Sequence, residues 1–366
     1  MNELNVSSQR FPTLQELNDI EARKRLPTTI YLCTLMVIGI LGNIIVLCVF
    51  ATRYSHNNYR TFTLFLASID LTACLVYFPA EIVDQTYPYM FFSEGACKGC
   101  RFIGRLTILG SALVLIVIAI ERHRKVCHPF QTQISHSMAI IMCVFALLLS
   151  LCFSWPVILI EGQKVKSFPG NITGYDCGTA DSMRGTEYPF IYTIFMFVIF
   201  SITFVVIIVL YTLLIQRIKM HSNSMRTKSL DHSKKRRSVT RIMLFISVGY
   251  ILSFLPHFIL EIISTAKKGQ VAPPTQIVLA TLPLVNRSFL ITTVINPFIL
   301  LIADTSFRKH SISVIVNLLK PFQCLACCNK FLNNKIDTDE SLEMGQRRTY
   351  CESESKKDDN LRQPEN

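Results

Sequence analysis

The sequence predicts an all-α membrane protein, a bundle of seven transmembrane helices followed by a short amphipathic eighth helix. Three observations lead there. Half of the 366 residues are hydrophobic and only 17% are charged, where a soluble domain carries about a quarter charged residues. The apolar residues gather into seven blocks, at about 27–52, 61–83, 102–121, 138–160, 189–215, 239–263 and 276–303. Each block approaches or exceeds the roughly 20 residues that a helix needs to cross a bilayer. The formal charge of +12 is unevenly placed, with basic residues crowding alternate connections. Lipid leaves backbone amides without partners, so spans are helices or closed barrels. Continuous apolar runs such as LTILGSALVLIVIAI are not the short alternating segments of barrel strands.

Residues 1–26 read as a polar outer tail. The opening MNELNVSSQRF lacks the charged-then-apolar pattern of a cleaved signal peptide, so the first span is expected to act as signal and anchor. Asn5 in Asn5-Val6-Ser7 and Asn171 in Asn171-Ile172-Thr173 are glycosylation sequons on the predicted outer side. The seven spans occupy 27–304. Arg122, Arg124 and Lys125 follow the third span, Arg217 to Arg241 supply a dense basic run between the fifth and sixth, and Arg308 and Lys309 follow the seventh. Basic loops are cytoplasmic, which places the N-terminus outside and the C-terminus inside. Arg23, Lys24 and Arg25 before the first span point the other way. The basic excess thus marks membrane orientation and an inner partner surface; no segment remains for a nucleic-acid-binding fold.

Beyond the seventh span, 305–320 reads TSFRKHSISVIVNLLK. Phe307, Val314, Ile315, Leu318 and Leu319 share one side of a helix and Lys309, Ser313, Asn317 and Lys320 the other, as in a helix lying in the lipid interface. Residues 321–366 are a charged cytoplasmic tail expected to be mostly disordered. Cys324, Cys327 and Cys328 near its start suit palmitoylation. Among the thirteen cysteines, Cys97, Cys100 and Cys177 fall in outer regions, where disulfides persist, and Cys100 competes with Cys97 for a bond.

Polar groups at membrane depth are costly and each needs an account. Asn43 in the first span, Asp70 in the second, Ser111 in the third and Asn296-Pro297 in the seventh lie at similar depth if the spans run antiparallel. Together they suit water or a monovalent cation such as Na+ around one carboxylate, while for Asn43 helix–helix glue is the simpler reading. Glu121-Arg122-His123 closes the third span, where a charged pair neutralises itself.

These residues resemble the rhodopsin-like (class A) G-protein-coupled receptors over about 27–320. Gly42-Asn43, the LASID ending at Asp70, Cys97 twenty-five residues before Arg122, Glu121-Arg122-His123 for the acidic-Arg-Tyr motif, Tyr211 at the inner end of span five, Ser253-Phe254-Leu255-Pro256 and Asn296-Pro297 carry the resemblance by order and spacing. The resemblance implies a Cys97–Cys177 bridge. It also implies an activation switch built from Glu121, Arg122, His123, Tyr211, Phe254, Pro256, Asn296 and Pro297. A ligand cavity is implied in the outer half, an extracellular ligand as its occupant, and a heterotrimeric G protein at the inner face, with arrestin and receptor kinases as tail partners. No catalytic or metal-binding arrangement is read.

The sequence departs from the family where a toggle Trp is replaced by Phe254 and the seventh-span motif ends in Leu300 instead of Tyr. Gly104 stands where amine receptors place an Asp, and Leu290 where light-sensing relatives place a lysine. Glu81, Asp84, Arg101, Arg105, His257, Glu261 and Arg287 populate the outer half. Charges of both signs suit a peptide ligand; Arg101 and Arg105 also suit a lipid or small acid. Internal ion pairs, such as Glu81 with Arg287 or Arg105 with Glu261, account for the same residues without a ligand. A multi-span ion-coupled transporter is the rival of another class.

Overall fold

The computed structural model describes residues 11–224, 230–266 and 276–316, with backbone alone at 219–224, 230–237, 261–266 and 276–280. Asn5, Cys324, Cys327, Cys328 and the side chain of Glu261 lie outside the described residues. The chain divides into two units, 1–314 and 315–366, and the second is described only at Ile315 and Val316.

Helix α1 spans Leu14–Arg53 and α2 spans Asn58–Thr86, interrupted by a π turn at Ala73–Tyr77. Helix α3 is Glu94–Cys127 and α4 is His136–Ile160, with a turn at Trp155 and Pro156. A hairpin follows, β1 Glu161–Phe168 and β2 Ile172–Thr179. Helix α5 is Tyr188–Ser224 and α6 is Leu230–Ala266. Helix α7 comprises Gln276–Asn286, a 3-10 turn at Ser288–Ile291 and Thr292–Ala303. Helix α8, Thr305–Val316, turns 106° away from α7. Among the described residues, six helices are long and apolar enough to cross a membrane, and up to seven when the bent α7–α8 pair is included.

The apolar blocks locate the helices but not their ends. The first span is expected from residue 27, yet α1 starts at Leu14. Thr13 caps it by accepting from the Glu16 amide while Glu16 accepts from the Thr13 amide, a reciprocal cap that starts a helix in water. Asn18, 1% exposed, ties this outer turn to α2 by donating to the Thr86 carbonyl at 3.3 Å and accepting from the Tyr89 amide at 3.3 Å. Glu21 pairs with Lys24 at 3.1 Å and Arg25 at 3.4 Å, so the basic cluster that opposed the outside assignment is partly neutralised by its own helix.

Helix α3 is the axis of the bundle and packs on α2, α4, α5 and α6. The apolar windows of α2 and α3 are 61% buried, that of α5 only 22%. Ile191, Val205 and Ile208 of α5 therefore face outward, as suits a surface that meets lipid. Close approach decides two glycines. A Cβ on Gly42 would stand 2.9 Å from Pro297, so α1 touches α7 there. A Cβ on Gly104 would run into the Tyr77 ring, so α3 touches α2 there.

The outer connection 161–187 contains an antiparallel hairpin with Glu161 opposite Thr179 and Phe168 opposite Ile172. Gly170 (φ 84°) and Asn171 (φ 60°) make its tight turn, a left-handed backbone that Gly and Asn adopt most readily. Asn171 is thereby exposed at the tip. Cys97 and Cys177 form a disulfide that anchors β2 to the start of α3, and Cys100 is left free.

At the other end, Asp304 builds the α7–α8 elbow. One carboxylate oxygen accepts from the Tyr54 and Tyr59 hydroxyls, each at 2.8 Å, and the other from the Ser306 and Phe307 amides, each at 3.0 Å. Phe307, 1% exposed, then packs against Phe50 with ring centres 5.7 Å apart. Asp304→Ala should lower the unfolding free energy by about 2 kcal/mol, the loss of a cap and of charge-assisted bonds offset by solvent access. Hydrogen exchange should accelerate at Ser306 and Phe307, while Asp304→Asn, which keeps the cap acceptor, should lose less.

Candidate functional site

Three polar layers run through the bundle. The outer layer is a cavity of about 230 Å³ bounded by α2, α3, α4, β1, α5, α6 and α7. The π turn in α2 ends at Tyr77, one helical turn before Glu81, and both side chains line the cavity. Glu81, 2% exposed, forms ion pairs with Arg101 of α3 and with Arg287 of α7, the latter at 2.9 Å. Arg101 also reaches Asp84 at 3.1 Å and the Cys177 carbonyl at 3.4 Å. Two carboxylates thus satisfy two guanidinium groups, and the hairpin is drawn into the same network.

Glu81, Arg101 and Arg287 are thus engaged with one another and with Asp84. They line the cavity, but their charges are used between helices, because burying any one alone would cost several kcal/mol. The Glu81–Arg287 pair anticipated as the alternative is present. Arg105 also lines the cavity, and among the described residues no carboxylate stands within ion-pair distance of it. His257 shares a hydrogen bond with Asn286 at 2.8 Å and stacks edge-on with Phe289 at 5.1 Å. Glu161, the first residue of β1, lines the cavity too and is not singled out by the sequence, which gives no sign that a hairpin starts there.

The Tyr77 ring fills the place beside Gly104 where a side chain would project, which gives the absence of an acid at that position a steric reason. The cavity floor is aromatic. Phe254 lies 4.7 Å from Tyr250, 5.2 Å from Phe200 and 5.5 Å from Phe289, ring centre to ring centre. Pro256 cannot supply an amide to the preceding turn, and the Ser288 hydroxyl of α7 donates to the Ser253 carbonyl at 2.9 Å. This bond links the turn of α6 before Pro256 to the 3-10 turn of α7.

The middle layer centres on Asp70, 3% exposed, which accepts from the Asn296 amide at 2.7 Å. Ser111 is buried within reach of the same carboxylate. Asn43 does not join them. Its amide donates to the Gly39 carbonyl at 2.9 Å and to the Thr293 carbonyl of α7 at 2.8 Å. One amide hydrogen is thus used within α1 and the other ties α1 to α7, as helix–helix glue does, and its oxygen is buried without a hydrogen-bond partner.

At the inner layer, Glu121 and Arg122 form an ion pair, each 3% exposed. Glu121 also accepts from Asn58 at 3.2 Å and from Lys125 at 3.4 Å. Tyr211 accepts from the Ser247 hydroxyl at 3.3 Å, across α5 and α6. His123 is half-buried and meets the His128 ring edge-on at 5.8 Å, so it does not join the Arg122 pair in these contacts. Leu300, where the family has a tyrosine, is 1% exposed in the core. Asp304, Tyr54 and Tyr59, one helical turn further on, supply the polar contacts at this end of α7. Sequence reading does not single them out, because Tyr54 and Tyr59 flank a turn and Asp304 ends an apolar run.

The described residues thus form a bundle of membrane-length helices with buried ion pairs towards both ends. The description of seven-transmembrane receptors of the rhodopsin family matches residues 42–300. The chain belongs to that family; it is a multi-pass membrane receptor and not an enzyme. Similar proteins include the neuromedin U receptor homolog nmur-2 of Caenorhabditis elegans, 24% identical over 282 residues, or 69% of each chain. The neuromedin-U receptor 2 of Mus musculus is 26% identical over 250 residues, 64% of this chain and 61% of that one. The neuropeptide FF receptor 2 of Rattus norvegicus is 24% identical over 236 residues, 61% of this chain and 57% of that one.

Proposed function

We propose that this chain is a plasma-membrane receptor that binds an extracellular peptide in the outer cavity and activates heterotrimeric G proteins at its inner face. The observation that carries the reading is the outer cavity itself, where ionised groups of both signs stand on an aromatic floor that reaches the turn of α6 before Pro256. At about 230 Å³ it is smaller than the roughly 300–1,000 Å³ of sites that swallow a whole small molecule, so it suits the end of a longer ligand. The names of the three relatives, receptors for neuromedin U and for neuropeptide FF, support the peptide class.

Ligand binding shifts the population of bundle conformations only by its preference for one of them. The aromatic cluster around Phe254 and the Ser288–Ser253 bond are where a ligand would bias α6. Opening α6 at the inner end would expose Arg122 to a G-protein α-subunit. The N-terminus and the hairpin are then outside, with glycans on Asn5 and Asn171. The C-terminus is inside, with α8 in the interface, palmitate on Cys324, Cys327 and Cys328, and tail serines and threonines open to receptor kinases and arrestin. Asp70 has no cationic partner among the described residues, so a proton or a monovalent cation held with Ser111 balances it.

The Arg122 guanidinium is paired only with its neighbour Glu121 among the described residues, a lock that does not bridge α3 to α6. The unliganded receptor should therefore signal above vector control in cells with a promiscuous G-protein reporter. Arg122→Ala should remove that signal with surface expression largely kept. Equal signalling by wild type, Arg122→Ala and vector, with wild type at the surface, would count against the coupling mechanism. A panel of neuropeptides in the same reporter tests the ligand class.

A further inference from the structure

Resting on the reading of the outer cavity as the ligand site, we infer that the ligand presents a free carboxylate beside an aromatic group, with Arg105 as its counter-ion. The inference comes from the way charge is used in the cavity. Arg101 and Arg287 are each held by buried carboxylates of the protein, so neither has a charge to offer without breaking a helix–helix contact. Arg105, one helical turn further along α3 from Arg101, faces the same cavity with no carboxylate at ion-pair distance among the described residues. Glu161 lines the cavity as well but stands beyond that distance.

A guanidinium that is partly withdrawn from water and left unpaired is an anion receptor, and its planar fork matches a carboxylate with two parallel hydrogen bonds. The surface next to it is made of the Tyr192, Phe200, Phe254, Phe258 and Phe289 rings. Aromatic rings bind another ring edge-on or offset. An anion and a ring held side by side describe the C-terminal end of a peptide that finishes in an aromatic residue with its carboxyl group free. A C-terminal amide offers no charge to Arg105 and would leave it unpaired in the filled cavity.

The test needs no knowledge of the natural ligand. The full-length receptor in lipid nanodiscs is melted with increasing N-acetyl-L-phenylalanine, with its amide, or with inorganic phosphate, all in the millimolar range expected of so small a probe. The acid should raise the melting temperature, with the amide and phosphate about 10-fold weaker, as the loss of a charge-assisted pair predicts. Arg105→Gln should erase the preference for the acid, and Arg105→Lys should keep part of it. No stabilisation by the acid, equal stabilisation by acid and amide, or equal stabilisation by phosphate overturns the inference. The wild-type comparison decides even if the Arg105 variants fold poorly. Signalling that depends on Arg122, with no preference for the acid, would sink this inference and leave the receptor reading intact. Preference for the acid in a receptor that never signals would do the reverse.

Discussion

Glu81→Ala should destabilise the receptor by about 3–5 kcal/mol, the cost of breaking a buried ion pair by removing one partner. Glu81 is 2% exposed and serves Arg101 and Arg287 together. Its removal leaves two guanidinium groups in the outer bundle with Asp84 as the remaining carboxylate among the described contacts. The loss falls on the junction of α2, α3 and α7, so the protein should melt at lower temperature and reach the cell surface in smaller amount. The melting temperature of purified Glu81→Ala in detergent measures it. Because Arg101 and Arg287 share the acid, Arg287→Met in the Glu81→Ala background should recover part of the loss. A cycle in which the two changes simply add would show that the pair is not coupled.

Cys177→Ser should be nearly as damaging. The bridge to Cys97 closes a loop with a sequence separation of 80. For a chain free in water such a loop implies about 4 kcal/mol of stabilisation. Helices that stay inserted in lipid already restrict the unfolded chain, so about 2–4 kcal/mol is expected here. The hairpin should suffer first, since Cys177 ties β2 to α3 and its own carbonyl accepts from Arg101. Exchange of the β1–β2 amides should rise, with a fall in melting temperature. Cys97→Ser and the double variant should match Cys177→Ser. A double variant much worse than either single one would mean that the cysteines do more than hold each other.

The expected effects differ from what a residue-by-residue reading of the sequence implies. Glu81, Arg101 and Arg287 look alike in sequence to Arg105: each is an ionisable residue near the outer end of a span. Only the arrangement of helices separates three that neutralise one another with Asp84 from one with no carboxylate at ion-pair distance among the described residues. Asn43 and Asp70 likewise share a depth in the sequence, yet Asn43 turns to α7 while Asp70 meets Asn296. Glu121 with Arg122 was readable because the partners are adjacent in the chain. Phe254 and Pro256 were readable as a pair, but not the Ser288 hydroxyl that meets this turn from another helix.

The sequence by itself determined the membrane class, the approximate place of each span and the order of motifs that marks the family. These rest on hydropathy and spacing, which are local properties that lipid imposes on any chain crossing it. The start of α1 at Leu14, the hairpin at 161–179, the Asp304 elbow and the division of the outer charges into paired and unpaired were decided by the tertiary structure. Each depends on which faces of distant helices meet, and a buried charge or amide is stable only beside a partner that the linear order does not reveal.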